Sequence, residues 1–180
     1  MRELRFDPIR NRWVIISPER ARRPSDYTIA QQDDKSDKTV FVCPFCEGSE
    51  EKTPPEIFAI RRNESKPNFP GWRVRVVPNK FPALQIEDHA IRYGMGIFDV
   101  VSGAGAHEVI IETPDHGKSL GDLDVDWIRD VLVTFRERIR DLFHDPRLRY
   151  ILIFKNHKAQ AGASLAHTHS QLIATPMVPP

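Results

Sequence analysis

The sequence has few cysteines. Cys43 and Cys46 are the only two in 180 residues, and only a proline and a phenylalanine lie between them. A pair this close cannot close a long loop, so we do not expect a disulfide framework of the kind that staples small secreted domains. The pair is instead a candidate for metal binding or redox chemistry.

The sequence also lacks long hydrophobic runs and a large net charge of either sign. No apolar stretch reaches the ~18 residues of a membrane span, and the polar N-terminus has no signal-peptide core. The formal net charge of +1 provides no general attraction to nucleic acid or to a membrane surface, although it allows a local basic site. We therefore predict a cytoplasmic protein that binds neither nucleic acid nor membrane.

Proline is abundant. Fifteen prolines interrupt the chain, and because proline removes a backbone donor and fixes φ, the first hundred residues should be rich in loops with short strands. Apolar and β-branched runs predict strands at 11–17, 72–77, 107–112, 149–154 and 167–174, and a polar run predicts a mobile surface loop at 31–38.

One segment has a helical period. Apolar residues recur at spacings of three and four from 124 to 143, with Asp124 or Asp126 near the start of the predicted helix. We place Arg136, Arg138 and Arg140 on its solvated face. Strands outnumber helices, which predicts an α+β domain with an antiparallel sheet and at least one helix packed across it. The apolar positions are Trp127, Ile128, Val131, Leu132, Phe135, Ile139 and Leu142.

The most informative polar pattern is His-x-His-x-Gln at 167–171. Side chains alternate along a strand, so His167, His169 and Gln171 should point to the same side. Such a row can hold a metal ion, or present a neutral imidazole as a nucleophile beside a hydrogen-bond donor. The alternative is a polar strand face exposed to water.

The Cys-x-x-Cys pair favours zinc over a redox pair or inert thiols, because two thiolates at this spacing reach one tetrahedral ion. The pair leads into a Thr-Pro-Pro segment rather than opening a helix, as a thioredoxin-like pair would. Two cysteines leave two ligand positions to be filled, and spacing alone does not choose among His107, His116, His157 and His167.

Taken together, these residues resemble the galactose-1-phosphate uridylyltransferases and their relatives in the histidine-triad superfamily. The resemblance implies an α+β histidine-triad-like domain with an antiparallel sheet and packed helices. Residues 1–180 would form the N-terminal nucleotidyltransferase domain of a homodimeric two-domain transferase, followed by a similar C-terminal domain. The matching segments, in order, are 7–24, 43–46, 77–84, 113–116 and 156–171.

The resemblance also implies roles for individual residues. It makes His169 the covalent nucleophile and Gln171 the donor beside it, and it leaves His107 and His157 outside the zinc site. Zinc (Zn2+) would be held by Cys43, Cys46, His116 and His167, and the substrate-binding positions would be Arg20, Arg23, Asn79, Asn156, Gly162 and Ser164.

The implied reaction transfers UMP from UDP-glucose to a sugar 1-phosphate, galactose 1-phosphate, through a nucleotidyl-histidine. The best-known members have proline and glycine where this chain has Thr168 and Ser170, and the two hydroxyl residues look more like a branch that includes ADP-glucose phosphorylases. A dinucleotide hydrolase of the superfamily would have a third histidine in place of Gln171. A non-catalytic zinc or nucleotide-binding module would not need the nucleophile His169.

Overall fold

The computed structural model describes residues 2–22, 42–62 and 64–179. Within these ranges the chain forms two antiparallel sheets and one α-helix, as predicted for an α+β domain. The predicted loop at 31–38 and the predicted site residue Arg23 lie outside the described ranges. The strands are β1 (Glu3–Asp7), β2 (Arg12–Ile16), β3 (Phe58–Arg61), β4 (Trp72–Pro78), β5 (Arg92–Met95), β6 (Phe98–Ser102), β7 (Ala106–Ile111), β8 (Tyr150–Phe154) and β9 (His169–Thr175), and the helix is α1 (Val125–Leu142).

The larger sheet, with strand order β3-β4-β7-β9-β8, carries the candidate site. Its central strand β7 is buried at all six positions because both of its faces are covered. Ile110 packs with Val131 of α1 on one face, whereas Val109 and Ile111 pack with Phe45 of the cysteine segment on the other. The sheet therefore separates a hydrophobic core under α1 from a second face on which chemistry can take place.

Helix α1 begins where the sequence predicts. The side chain of Asp124 caps it by accepting a hydrogen bond of 2.8 Å from the backbone N–H of Trp127. Two details of the predicted helix faces were wrong. Leu132 is 57% exposed on the outer face, and Arg138 is buried, donating to both carboxylate oxygens of Glu108 on β7 at 2.7 and 2.8 Å. Charge alone did not place Arg138, because its partner belongs to a distant strand.

The smaller sheet, with order β2-β1-β6-β5, lies beside the far end of β9. Leu4 and Val101 form its core with Leu84, and Ile173 of β9 packs against them. The predicted strand at 11–17 is β2 of this sheet. In the described part of the chain, no helix is long and apolar enough to cross a membrane.

Candidate active site and metal centre

Three segments bring two cysteines and two histidines together. Cys43 and Cys46 lie in a turn, His116 follows β7, and His167 lies two residues before the start of β9. One ligand atom from each residue lies within 4.8 Å of all the others. Among the residues that the structure describes, neither His107 nor His157 belongs to this cluster, as the family resemblance implied.

The spacing of the donor atoms fits a tetrahedral zinc ion. The Nδ1 atom of His167 lies 3.6 Å from both sulfur atoms, and Nδ1 of His116 lies 3.4 Å from the sulfur of Cys46. Zinc–sulfur bonds of about 2.3 Å and zinc–nitrogen bonds of about 2.0 Å at a tetrahedral angle give a sulfur–nitrogen edge of roughly 3.5 Å. The observed separations are therefore those that a shared tetrahedral ion requires.

The environment also prepares the ligands. Nε2 of His167 lies 2.7 Å from the backbone oxygen of Thr113, so this N–H donates to the carbonyl and leaves the lone pair on Nδ1, towards the sulfurs. Burial lowers the pKa of His167 to about 4, which keeps the imidazole neutral. Burial raises the pKa of the Cys43 thiol to about 12 in the absence of an ion, whereas a coordinated thiol is deprotonated.

His169 lies at the start of β9 with a defined tautomer. Its Nδ1 is 2.7 Å from the backbone oxygen of His167, so Nδ1–H donates and the lone pair of a neutral ring stays on Nε2. The strand begins at His169 rather than at the predicted residue 167, because the backbone pairing with β7 weakens there. The backbone nitrogen of Glu112 lies 3.5 Å from the backbone oxygen of Thr168, a long hydrogen bond. Even so, the rings of both histidines contact Phe45 on one side.

A cavity of about 420 Å³ opens on this face of the sheet. Its polar lining includes five of the predicted residues, namely Arg20, Asn79, Ser164, His169 and Gln171, and its apolar walls include Phe45, Val77, Phe81, Val109 and Leu165. A neutral imidazole, a carboxamide and a guanidinium beside apolar walls can bind an anionic group attached to a flat, apolar one.

Asn156 and Gly162, which are also predicted to bind substrate, are not among the residues that line this cavity. Asn156 follows β8, and its Nδ2 atom is 3.9 Å from the position that a Cβ on Gly162 would occupy. Gly162 ends a short 3-10 turn with φ of +83°, a conformation that favours glycine. The structure therefore brings Asn156 and Gly162 together in the segment between β8 and β9.

The hydroxyls that flank His169 point away from the cavity. Thr168 and Ser170 each donate a hydrogen bond of 2.6 Å to the carboxylate of Glu112, which is fully buried. The ammonium of Lys155 completes the network, because it lies 2.6 Å from this carboxylate and 3.1 Å from the backbone oxygen of His169. These side chains support the strand that carries His169 from the side opposite the cavity.

Sequence reasoning missed Glu112 and Lys155, and it considered His107 only as a possible zinc ligand. His107 is buried on β7, and its ring contacts Arg20, Asn79 and Gln171. One signal was available. Glu112 and His107 end an apolar run that the pattern predicted to be a strand, and a charged or polar group in a buried strand needs a partner.

Comparison with known proteins identifies the family of the chain. Residues 1–179 match the family model described as galactose-1-phosphate uridyl transferase, N-terminal domain. ADP-glucose phosphorylase of Arabidopsis thaliana is 40% identical over 99% of this chain and 50% of its own length. Galactose-1-phosphate uridylyltransferase of Thermotoga maritima is 29% identical over 99% of this chain and 48% of its own length.

A solved structure extends the comparison. The crystal structure of the Arabidopsis thaliana ADP-glucose phosphorylase with bound ADP-glucose superposes with a TM-score of 0.65 at 40% identity, covering 100% of this chain and 50% of that one. The chain thus spans about half the length of the relatives it matches. It belongs to the galactose-1-phosphate uridyl transferase family and corresponds to the N-terminal domain of that family.

Proposed function

We propose that the protein is a nucleotidyltransferase that acts on nucleotide sugars through a covalent nucleotidyl-histidine. Nε2 of His169 attacks the α-phosphorus of the donor. A phosphorus–nitrogen bond forms, the bond from the α-phosphorus to the bridging oxygen breaks, and the electron pair leaves with the sugar 1-phosphate. A second phosphate oxygen then takes the nucleotidyl group from His169. The observation that carries this proposal is the tautomer of His169, with its lone pair on Nε2 beside Gln171.

The remaining polar groups of the cavity suit a phosphoryl transfer. Charge on the transferred group is spread over its non-bridging oxygens, so fixed donors contribute much of the rate enhancement. Gln171, Arg20 and Ser164 line the cavity and are the donors we propose for these oxygens. Loss of one such donor typically lowers the rate on the order of 10²–10³-fold.

Two nucleotide sugars, ADP-glucose and UDP-glucose, are each supported as the substrate by a different observation. The relative at 40% identity is an ADP-glucose phosphorylase, which favours adenylyl transfer from ADP-glucose to phosphate. The family model and the relative at 29% identity favour uridylyl transfer from UDP-glucose to galactose 1-phosphate. The contacts of Thr168 and Ser170 with Glu112 explain how these residues support the strand, but they place neither hydroxyl next to a base.

We propose zinc as the ion held by Cys43, Cys46, His116 and His167. The support is the donor set and its tetrahedral spacing. Four protein ligands leave no open position, so the ion would stabilise the fold rather than activate water. The backbone oxygen of His167 accepts from His169, so the ligand at 167 would hold the nucleophile through a single bond.

The first experiment identifies the donor by covalent labelling. Full-length, zinc-loaded protein is incubated separately with ADP-glucose and with UDP-glucose, and intact mass spectrometry detects an acid-labile adduct. An adduct from only one of the two nucleotide sugars identifies whether the enzyme transfers an adenylyl or a uridylyl group. The variant His169→Asn should form no adduct, whereas His144→Asn, which changes an exposed histidine beyond the end of α1, should label normally. Absence of an adduct with both donors would contradict the covalent mechanism.

Three broader expectations stay proposals: the homodimer, the cytoplasmic location and the second, C-terminal domain. The support for the second domain is that the chain matches only 50% of the length of its relative from Arabidopsis thaliana. Light scattering on the full-length protein would test the dimer, since a monomeric mass would contradict it.

A further inference from the structure

We propose that His107 is a positioning residue that fixes the carboxamide of Gln171 with its NH2 group towards the cavity. The inference rests on the proposed function for its catalytic consequence, but its structural part stands on the hydrogen-bond geometry alone. His107 lies on β7, is 4% exposed, and pairs with Ile173 of β9, two residues beyond Gln171.

The contacts of Nδ1 define the tautomer of His107. Its Nδ1 atom lies 2.9 Å from the backbone N–H of Ala83 and 3.1 Å from Nη1 of Arg20. A backbone N–H and a guanidinium can only donate, so Nδ1 must carry a lone pair. The neutral ring then has its hydrogen on Nε2. A doubly protonated ring would place an N–H at Nδ1 against the donors of Ala83 and Arg20.

The Nε2–H of His107 needs an acceptor. Two amide side chains are within reach: Nδ2 of Asn79 at 3.1 Å and Oε1 of Gln171 at 3.0 Å. The oxygen of Asn79 already accepts from the backbone N–H of Phe81 at 2.9 Å, which turns its nitrogen towards His107. An amide nitrogen cannot accept, so the Nε2–H of His107 donates to Oε1 of Gln171, and the approach of Nε2 to Nδ2 of Asn79 is a contact between two donors rather than a hydrogen bond. Nδ1 faces two donors and Nε2 only one, so the hydrogen on Nε2 remains the better arrangement.

The hydrogen bond from His107 sets the orientation of the Gln171 carboxamide. A carboxamide presents an oxygen on one side and an NH2 group on the other, and only the hydrogen-bond network decides which is where. With its oxygen held by His107, Gln171 directs its two N–H donors away from His107, on the side where it lines the cavity with His169. The opposite orientation would place an amide oxygen against the phosphoryl oxygens and repel them.

This orientation originates in groups that cannot rotate. The backbone N–H of Ala83 cannot flip, whereas the amides of Gln171 and Asn79 can, so the backbone decides the direction of the whole chain of bonds. The donor that faces the transferred phosphoryl group is thus preorganised before substrate binds, which is the condition under which such donors lower a barrier most.

Two substitutions separate positioning from packing. In His107→Asn the side-chain oxygen can still accept from Ala83, but no donor reaches Gln171. In His107→Gln the longer amide can place its NH2 group where Nε2 was. We expect adduct formation on His169 to slow on the order of 10- to 10²-fold in His107→Asn, because one preorganised donor is partly lost. The rate should recover substantially in His107→Gln.

A double-mutant cycle tests whether His107 acts through Gln171. In a Gln171→Leu background, His107→Asn should cause little further loss, because the amide that it orients is gone. An equal loss in both backgrounds, or no loss in the wild-type background, would overturn the proposal. The exposed His144→Asn serves as the control for a histidine-to-asparagine change.

The tautomer is tested without activity. Long-range ¹H–¹⁵N spectra of the full-length protein should show His107 neutral and protonated at Nε2. Protonation at Nδ1, or a doubly protonated ring, near pH 7 would overturn the inference whatever the kinetics show. If the wild-type protein forms no adduct while His107 has the expected tautomer, the proposed function fails and the assigned orientation of Gln171 stands.

Discussion

The buried carboxylate of Glu112 offers the sharpest test of how the strand that carries His169 is supported. Both of its oxygens are used: Oε1 accepts from Ser170, and Oε2 accepts from Thr168 and Lys155, all at 2.6 Å. The variant Glu112→Gln keeps the shape of the side chain but removes the charge and replaces one acceptor with a donor. Whichever way the amide turns, its NH2 group replaces one of the two acceptors, and the ammonium of Lys155 loses its counter-charge.

The magnitude follows from these contacts. Removing one partner of a buried ion pair costs about 3–5 kcal/mol, because the other charge is left uncompensated. The side chain of Lys155 is 23% exposed, so water can reach its charge in part, and we expect the lower end of this range. A loss of about 3 kcal/mol in the free energy of unfolding corresponds to a fall in Tm of roughly 6–12 °C for a domain of this size.

Urea unfolding of wild-type and Glu112→Gln proteins, followed by circular dichroism, measures this loss. Glu87→Gln is the matched control, since Glu87 is exposed, and it should change stability by less than about 0.5 kcal/mol. Lys155→Met in the Glu112→Gln background should recover part of the loss, because the unpaired charge disappears. A change below about 1 kcal/mol in Glu112→Gln would show that the pair of Glu112 and Lys155 does not stabilise the fold in this way.

Three further predictions concern the metal centre and α1. Zinc binding to the metal-free protein should release the proton of Cys43, whose pKa burial raises to about 12, so zinc affinity should rise with pH. Calorimetry in two buffers of different ionisation enthalpy measures the release, and equal heats would contradict it. Asp124→Ala should lower the free energy of unfolding by about 1 kcal/mol through loss of the helix cap, as measured by urea unfolding. Arg138→Met should lower it by about 3–5 kcal/mol because Glu108 stays buried without its partner, and a melting temperature equal to that of the wild type would contradict this pairing.

Local structure was largely predictable from the sequence. The helical period and the cap at Asp124 identified α1, and the β-branched runs identified β2, β4, β7, β8 and β9. These features depend on neighbours a few residues away, and periodicity records which side of an element is buried. The alternation along 167–171 also holds, since Thr168 and Ser170 contact Glu112 on one side while His167 and His169 contact Phe45 on the other.

The metal ligands were predictable only in part. Spacing identified the Cys-x-x-Cys pair but left four histidines open, because sequence distance does not tell which loops meet in space. The family resemblance chose His116 and His167, and the structure places both beside the two sulfurs.

Local sequence patterns were enough to predict α1, five of the nine described strands, the thiol pair and the row of polar side chains at 167–171. The partners of the buried polar side chains, in contrast, became known only from the folded structure. Glu112 contacts Lys155, Arg138 of α1 contacts Glu108, and His107 contacts Gln171, and the two residues of each pair are far apart in the chain. The physical reason is that a buried polar group must find a partner, and which partner it finds depends on how the strands pair rather than on any local pattern.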